Sequence, residues 1–308
     1  MQAETFFFSD EDGVEIFVYK WLPEADVPIK GVVQIAHGAA SHAGRYAHVG
    51  ESFVKAGYVV YANDHRGHGK TGQKSGRLGI LSMGDWERMV RNLKELTDIA
   101  KGAYTDSPFF ILGHSMGSFL VQNYIQMWGS DLQGALLTGT TGEIVAPSDQ
   151  FDLESIQRSI AEKGFDAREE DFSNFMKAYN EPFEPARTEF DWLTRDQEAI
   201  QRYIDDPLCG FPLSYGFIVE LGRSMFSLWD SEKLQKIPKD LPIYIFVGSM
   251  DPVSGMAKGA KTLLQRYQDL GIKDVTLKEY PDCRHELFNE INREEVIQDV
   301  IAWLNAHL

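Results

Sequence analysis

The chain has 308 residues, 43% hydrophobic and 12% aromatic, enough for one large core with an insertion. A formal net charge of −16 argues against nucleic acid and against anionic membrane surfaces, which both attract basic patches. No apolar run approaches the ~18 residues of a membrane span. The two cysteines, Cys209 and Cys283, make no disulfide framework, which suits a reducing cytoplasm.

The segment Met1–Gly13 lacks the basic region and long apolar core of a signal peptide, and reads as a hairpin turning at Asp12-Gly13. Strand-like runs then fall at 31–36, 58–62, 109–113, 132–138, 241–248 and 275–280, separated by helical segments, with a final helix from about Glu294 to Leu308. Such alternation predicts an α/β fold, a mostly parallel sheet covered by helices on both faces. Residues 145–236 carry no strand pattern and are too long for a plain loop. They are expected to form an inserted helical cap on a core built from 1–144 and 237–308. In it Phe172, Phe175, Met176 and Tyr179 fall at i, i+3, i+4 and i+7, one apolar helix stripe. Phe190, Trp192, Tyr203, Phe211, Phe217, Met225, Phe226 and Trp229 extend the apolar supply. Most of these pack the cap on the core, and some are expected to line an apolar pocket.

The chemistry gathers around Gly113-His114-Ser115-Met116-Gly117. A Gly-x-Ser-x-Gly turn between a buried strand and a helix holds its serine on a strained corner, hydroxyl exposed above the sheet. Here Phe109–Leu112 supply the strand, and Phe119–Trp128, closed by Gly129, supply the helix. Ser115 therefore reads as a nucleophile. Such a serine needs a base, and the base an orienting carboxylate, in chain order Ser, Asp or Glu, His. Only His285 and His307 follow Ser115, and His307 is next to last on the terminal helix, which leaves His285. Asp251, just past the strand 241–248, lies where such a sheet displays its chemistry and is the acid. The backbone amides of Met116 and of Ala39, in the small-residue loop after strand 31–36, are the expected oxyanion donors. His37 in that loop reads as a histidine bonded to loop backbone rather than as a catalytic group.

Two other patterns invite a cofactor. Gly67-His68-Gly69-Lys70-Thr71-Gly72 matches G-x-G-x-x-G, but the loop is read as wandering on to a helix near Gly84 rather than opening one at once. The spacings of His37, His42, His48, His65 and His68 match no zinc motif. Neither a cofactor nor a metal is expected. Cys209 and Cys283 read as spectator thiols, with a reactive thiol beside the pocket as the alternative.

The runs His37–Tyr46, Asn63–Gly69, Gly113–Gly117, Asp205–Cys209, Gly248–Val253 and Tyr280–Glu286 together resemble the α/β-hydrolase branch of monoacylglycerol lipases and bacterial lysophospholipases. Two positions depart from that branch: Ser41 stands where it usually has Glu, and Ser118 where it usually has Gly. The resemblance implies a cofactor-free serine hydrolase that cleaves esters of small molecules with an apolar acyl chain, monoacylglycerol or lysophospholipid. A general carboxylesterase, or a peptidase or acyltransferase on the same three residues, is the alternative. The negative charge favours neutral or zwitterionic over anionic esters.

Overall fold

The computed structural model describes residues 2–142, 153–168 and 178–308. Strands β1 (Gln2–Ser9) and β2 (Glu15–Leu22) form the expected hairpin, antiparallel throughout. Its turn is built on Asp10, whose Oδ1 accepts the amides of Asp12 and Val14 at 3.0 and 2.9 Å. β3 (Gly31–Ala36), β4 (Tyr58–Asn63), β5 (Phe109–His114), β6 (Gly134–Thr138), β7 (Ile243–Gly248) and β8 (Val275–Tyr280) run parallel to one another. β2 joins them antiparallel to β4. The order is β1-β2-β4-β3-β5-β6-β7-β8. β7 starts two residues later than its apolar run because Leu241-Pro242 precedes it and proline has no amide for the ladder.

β3 to β7 are buried along their whole length, as strands sandwiched between helices must be. Their side chains divide by the period of two. Phe110, Leu112, Leu136, Tyr244 and Phe246 pack with α1 (Ala47–Lys55) and α10 (Arg293–Ala306). Ile111, Ala135, Leu137, Ile243 and Ile245 pack on the opposite face with α3 (Asp85–Ala103), α4 (Met116–Trp128) and α9 (Lys258–Asp269).

Between β6 and β7 the described residues hold α5 (Leu153–Lys163), α6 (Gln197–Asp205), α7 (Tyr215–Ser227) and α8 (Ser231–Gln235), with short 3-10 turns and one isolated bridge but no strand. Phe172, Phe175 and Met176 of the expected stripe lie outside the described residues; Tyr179 packs against a small cluster containing Trp192, Tyr203 and Cys209. No described helix is long and apolar enough to cross a membrane.

One sequence expectation fails. The glycine-rich loop does open a helix at once, α2 (Gly69–Ser75). The reason lies upstream: Asp64 turns its carboxylate onto this helix start and accepts the Lys70 amide at 2.7 Å, while its other oxygen takes the Ala43 amide at 2.8 Å. A Cβ on Gly69 would strike that carboxylate at 2.3 Å. The anion a helix N-terminus attracts is already supplied by the chain, so no nucleotide phosphate fits there.

Candidate active site

The strand order reverses between β3, which leads to β4 on one side, and β5 on its other side. In an open parallel sheet the crevice at that reversal, beyond the carboxyl ends, is where ligands bind. His37–Ser41 follow β3 there, and Ser115 follows β5.

Ser115 sits at φ 54° and ψ −124°, outside the regions side chains favour. Glycines permit this corner. A Cβ at Gly113 would lie 2.4 Å from the Gly117 carbonyl oxygen, and one at Gly117 would lie 2.2 Å from that of Ala36. Gly38 also sits close, its absent Cβ 3.1 Å from Ser115 Cβ. The corner is pinned by the Ser115 amide donating to the Thr138 carbonyl at 2.9 Å. Among the described residues no acceptor takes the amides of Ala39 or Met116, and Met116 opens α4, whose dipole favours negative charge.

His285 arrives on the loop after β8 and is almost fully buried. Its Nδ1 lies 2.9 Å from Asp251 Oδ1, which also accepts the Val253 amide at 2.9 Å. This bond places the proton on Nδ1 and leaves Nε2 with no partner among the described residues, the tautomer a general base requires. The ring packs 4.7 Å from that of His114 and 5.0 Å from that of Trp192. Gly139, at φ 55°, makes room: a Cβ there would meet both His114 and His285 at 2.8 Å. Burial, then the neighbouring His285, pushes His114 down to about 3, so it stays a neutral packing group.

Behind the loop that follows β3, His37, His65 and His68 form a buried trio. His37 Nδ1 donates to the Gly38 carbonyl at 2.8 Å and Nε2 accepts the His65 amide at 3.0 Å. That is the loop-bonding role its position suggested. Burial lowers all three, His65 to about 3 and His68 to about 4.

Beside these residues lies a charged pair that no motif in the sequence marks. Arg45 forms a two-bond pair with Glu286 at 2.5 and 2.6 Å, and its Nη1 donates to Ser41 Oγ at 3.1 Å. Burial raises Glu286, but Arg45 outweighs it and holds the carboxyl down at about 2. The Glu286 and His285 amides donate to the carbonyls of Leu193 and Trp192, at 2.7 and 3.4 Å, while Tyr203 Oη and the Gly210 amide donate to that of Ala40. Of this arrangement the sequence shows only that Glu286 stands next to His285.

Both thiols are free, buried and shifted upward by burial, Cys209 to about 12 and Cys283 to about 11, so the reactive-thiol alternative has no support. The ligating atoms of His42, Asp206 and Cys209 fall within 4.8 Å of one another. His42 Nε2 and Asp206 Oδ2 are hydrogen-bonded at 2.8 Å and Arg45 acts on the thiol, so the cluster reads as a hydrogen-bonded pair beside a buried thiol rather than as a cation site. A cavity of about 490 Å³ opens beside this pair, lined by Arg45, His48, Arg202 and Arg293 among others. Another of about 730 Å³ lies between Trp86, Glu220 and Trp229.

The strand order, the strained serine after β5 and the acid-paired histidine after β8 define an α/β-hydrolase. Residues 27–292 match the family described as serine aminopeptidase, S33, and the chain belongs to that family. It is 31% identical over 305 residues, 98% of this chain and 96% of the relative, to a monoacylglycerol lipase of Mycolicibacterium smegmatis. It is 25% identical over 301 residues, 96% of this chain and 89% of the relative, to monoglyceride lipase of Mus musculus. A thermostable carboxyl esterase of Bacillus coagulans, solved in complex with glycerol, superposes with a TM-score of 0.90 at 29% identity, covering 99% of both chains.

Proposed function

We propose that the protein hydrolyses carboxylic esters of lipid-like alcohols, monoacylglycerol or lysophospholipid, with Ser115 as nucleophile, His285 as general base and Asp251 as its orienting acid. Two observations carry this: a serine at φ 54° beyond the carboxyl end of β5, and, after β8 of the same sheet, a histidine whose Nδ1 is 2.9 Å from a buried carboxylate. His285 Nε2 takes the Ser115 proton as Oγ attacks the ester carbonyl, and the developing oxyanion accepts the amides of Ala39 and Met116. The imidazolium, stabilised by Asp251, returns the proton to the leaving alcohol. Water, deprotonated by the same histidine, then cleaves the acyl-enzyme.

The similarity to two monoacylglycerol lipases and a glycerol-bound carboxyl esterase favours a glycerol ester. Residues 145–236 would form a cap over this centre, its apolar clusters walling the acyl chain; Phe211, Phe217, Met225 and Trp229 pack in one cluster with Ala39 and Met116. At roughly 0.8 kcal/mol per buried methylene, such a wall would dominate substrate choice. Two buried free thiols suit a cytoplasmic location.

The test is kcat/KM on a monoacylglycerol and on lysophosphatidylcholine with the same acyl chain, less the Ser115→Ala background. Preference for the glycerol ester is the expected result. Preference for the phospholipid would make it a lysophospholipase, and no Ser115-dependent rate on either would overturn the proposal. The family description favours amide cleavage as a second reading, which turnover of an aminoacyl anilide would establish.

A further inference from the structure

Ser118, the position where the resembled branch usually carries glycine, places a hydroxyl directly behind the nucleophile. Its Oγ lies 2.6 Å from the Ser115 carbonyl oxygen and 2.9 Å from Thr140 Oγ1, which is 3.0 Å from Gln122 Nε2. Ser118 and Thr140 are fully buried, and Gln122 nearly so. Proton counting fixes the direction of these bonds. A carbonyl only accepts, so the single Ser118 proton goes to Ser115. The bond to Thr140 must then be donated by Thr140, whose own oxygen accepts from the Gln122 amide. Three donors thus run one way and end on one carbonyl, which also takes the Ser118 amide at 2.8 Å.

That carbonyl shares a peptide group with the Met116 N–H. Hydrogen bonds at a peptide oxygen draw electron density from its nitrogen and make the N–H a stronger donor. We propose that Ser118, Thr140 and Gln122 are positioning residues: a relay that polarises the Ser115–Met116 peptide and strengthens the Met116 amide toward the oxyanion. This rests on the reading of Met116 as an oxyanion donor. A donor in such a hole is worth about 10²–10³ in kcat, and one chain-linked bond changes a donor by roughly 10–30%, so losing the last link lowers kcat about two- to eightfold.

The test is steady-state kinetics of Ser118→Ala, Thr140→Val and their double variant on a p-nitrophenyl ester, with the Met116 amide proton followed by NMR. Ser118→Ala is expected to lower kcat by that factor at nearly constant KM and to move the Met116 amide proton upfield. Thr140→Val is expected to cost less, and nothing further once Ser118 is alanine, because the relay passes through Ser118. Unchanged kcat with a lowered Tm, or independent losses that multiply, would overturn the relay. Should Ser118→Ala not fold, Thr140→Val and Gln122→Met carry the same comparison. Fluorophosphonate labelling separates the two levels. A wild-type protein not labelled at Ser115 removes the underlying reading, whereas Ser118→Ala labelled at the wild-type rate removes the relay alone.

Discussion

Beyond the carboxyl ends of the strands, Gly113, Gly117 and Gly139 make room for Ser115 and His285 by close approach, backbone against backbone and ring against backbone. The segment between β6 and β7 reaches the neighbouring loops through hydrogen bonds: the carbonyls of Trp192 and Leu193 hold the His285 loop, while Tyr203, Gly210 and Asp206 hold the loop of Ala39 and His42. The difference teaches which errors each region tolerates. A steric corner has no partial solution, because an added methyl has nowhere to go. A hydrogen-bonded clamp loses its bonds singly, at costs graded by burial.

The largest change should come from Ser115→Ala, which is expected to lower kcat at least about 10⁴-fold while leaving Tm within a degree or two, by ester assay and calorimetry. A comparable loss of Tm would mean that the corner, not the hydroxyl, was the target. Glu286→Gln, in the loop that the clamp holds, strips the buried Arg45 of its counter-charge and should cost about 3–5 kcal/mol in urea denaturation. Arg45→Met added to it should restore much of that. Gly117→Ala forces a Cβ against Ala36 and is expected to cost about 1–3 kcal/mol, with a loss of activity out of proportion to it.

Acid should separate the two regions. His37, His65, His68 and His114 are buried at the sheet edge with lowered pKa values, His68 at about 4, whereas residues 139–242 contain no histidine. The folded state binds fewer protons than the unfolded one below pH ~6.5, so stability is full above that pH and falls toward pH ~4, by about 1.4 kcal/mol per pH unit per histidine. Denaturation at pH 7, 6 and 5 checks the slope, and His68→Phe should make it shallower. The smallest effect belongs to Asp206→Asn: its pair with His42 is partly exposed and should contribute under about 1 kcal/mol.

What the sequence reveals follows the same division. The Ser115 corner is written in five consecutive residues, although the backbone that requires Gly117 is that of Ala36, far upstream, and the strands are readable because burial on both faces makes them continuously apolar. Asp251 and His285 are found by chain order, and the structure joins them by one hydrogen bond. The charged pair beneath the clamped loops is hidden. Arg45 and Glu286 stand 241 positions apart, and no periodicity announces which of 30 basic and 46 acidic residues will meet in the interior. The relay behind Ser115 is hidden likewise, since Thr140 earns its place by standing two residues past the end of β6.

The Asp64 carboxylate at the start of α2 has a use beyond this chain. A glycine-rich turn usually advertises an anion's berth, yet here an acid five positions upstream has already moored in it. Motif searches that scored the residues before the glycines, as well as the glycines, would discard such self-occupied loops without a structure.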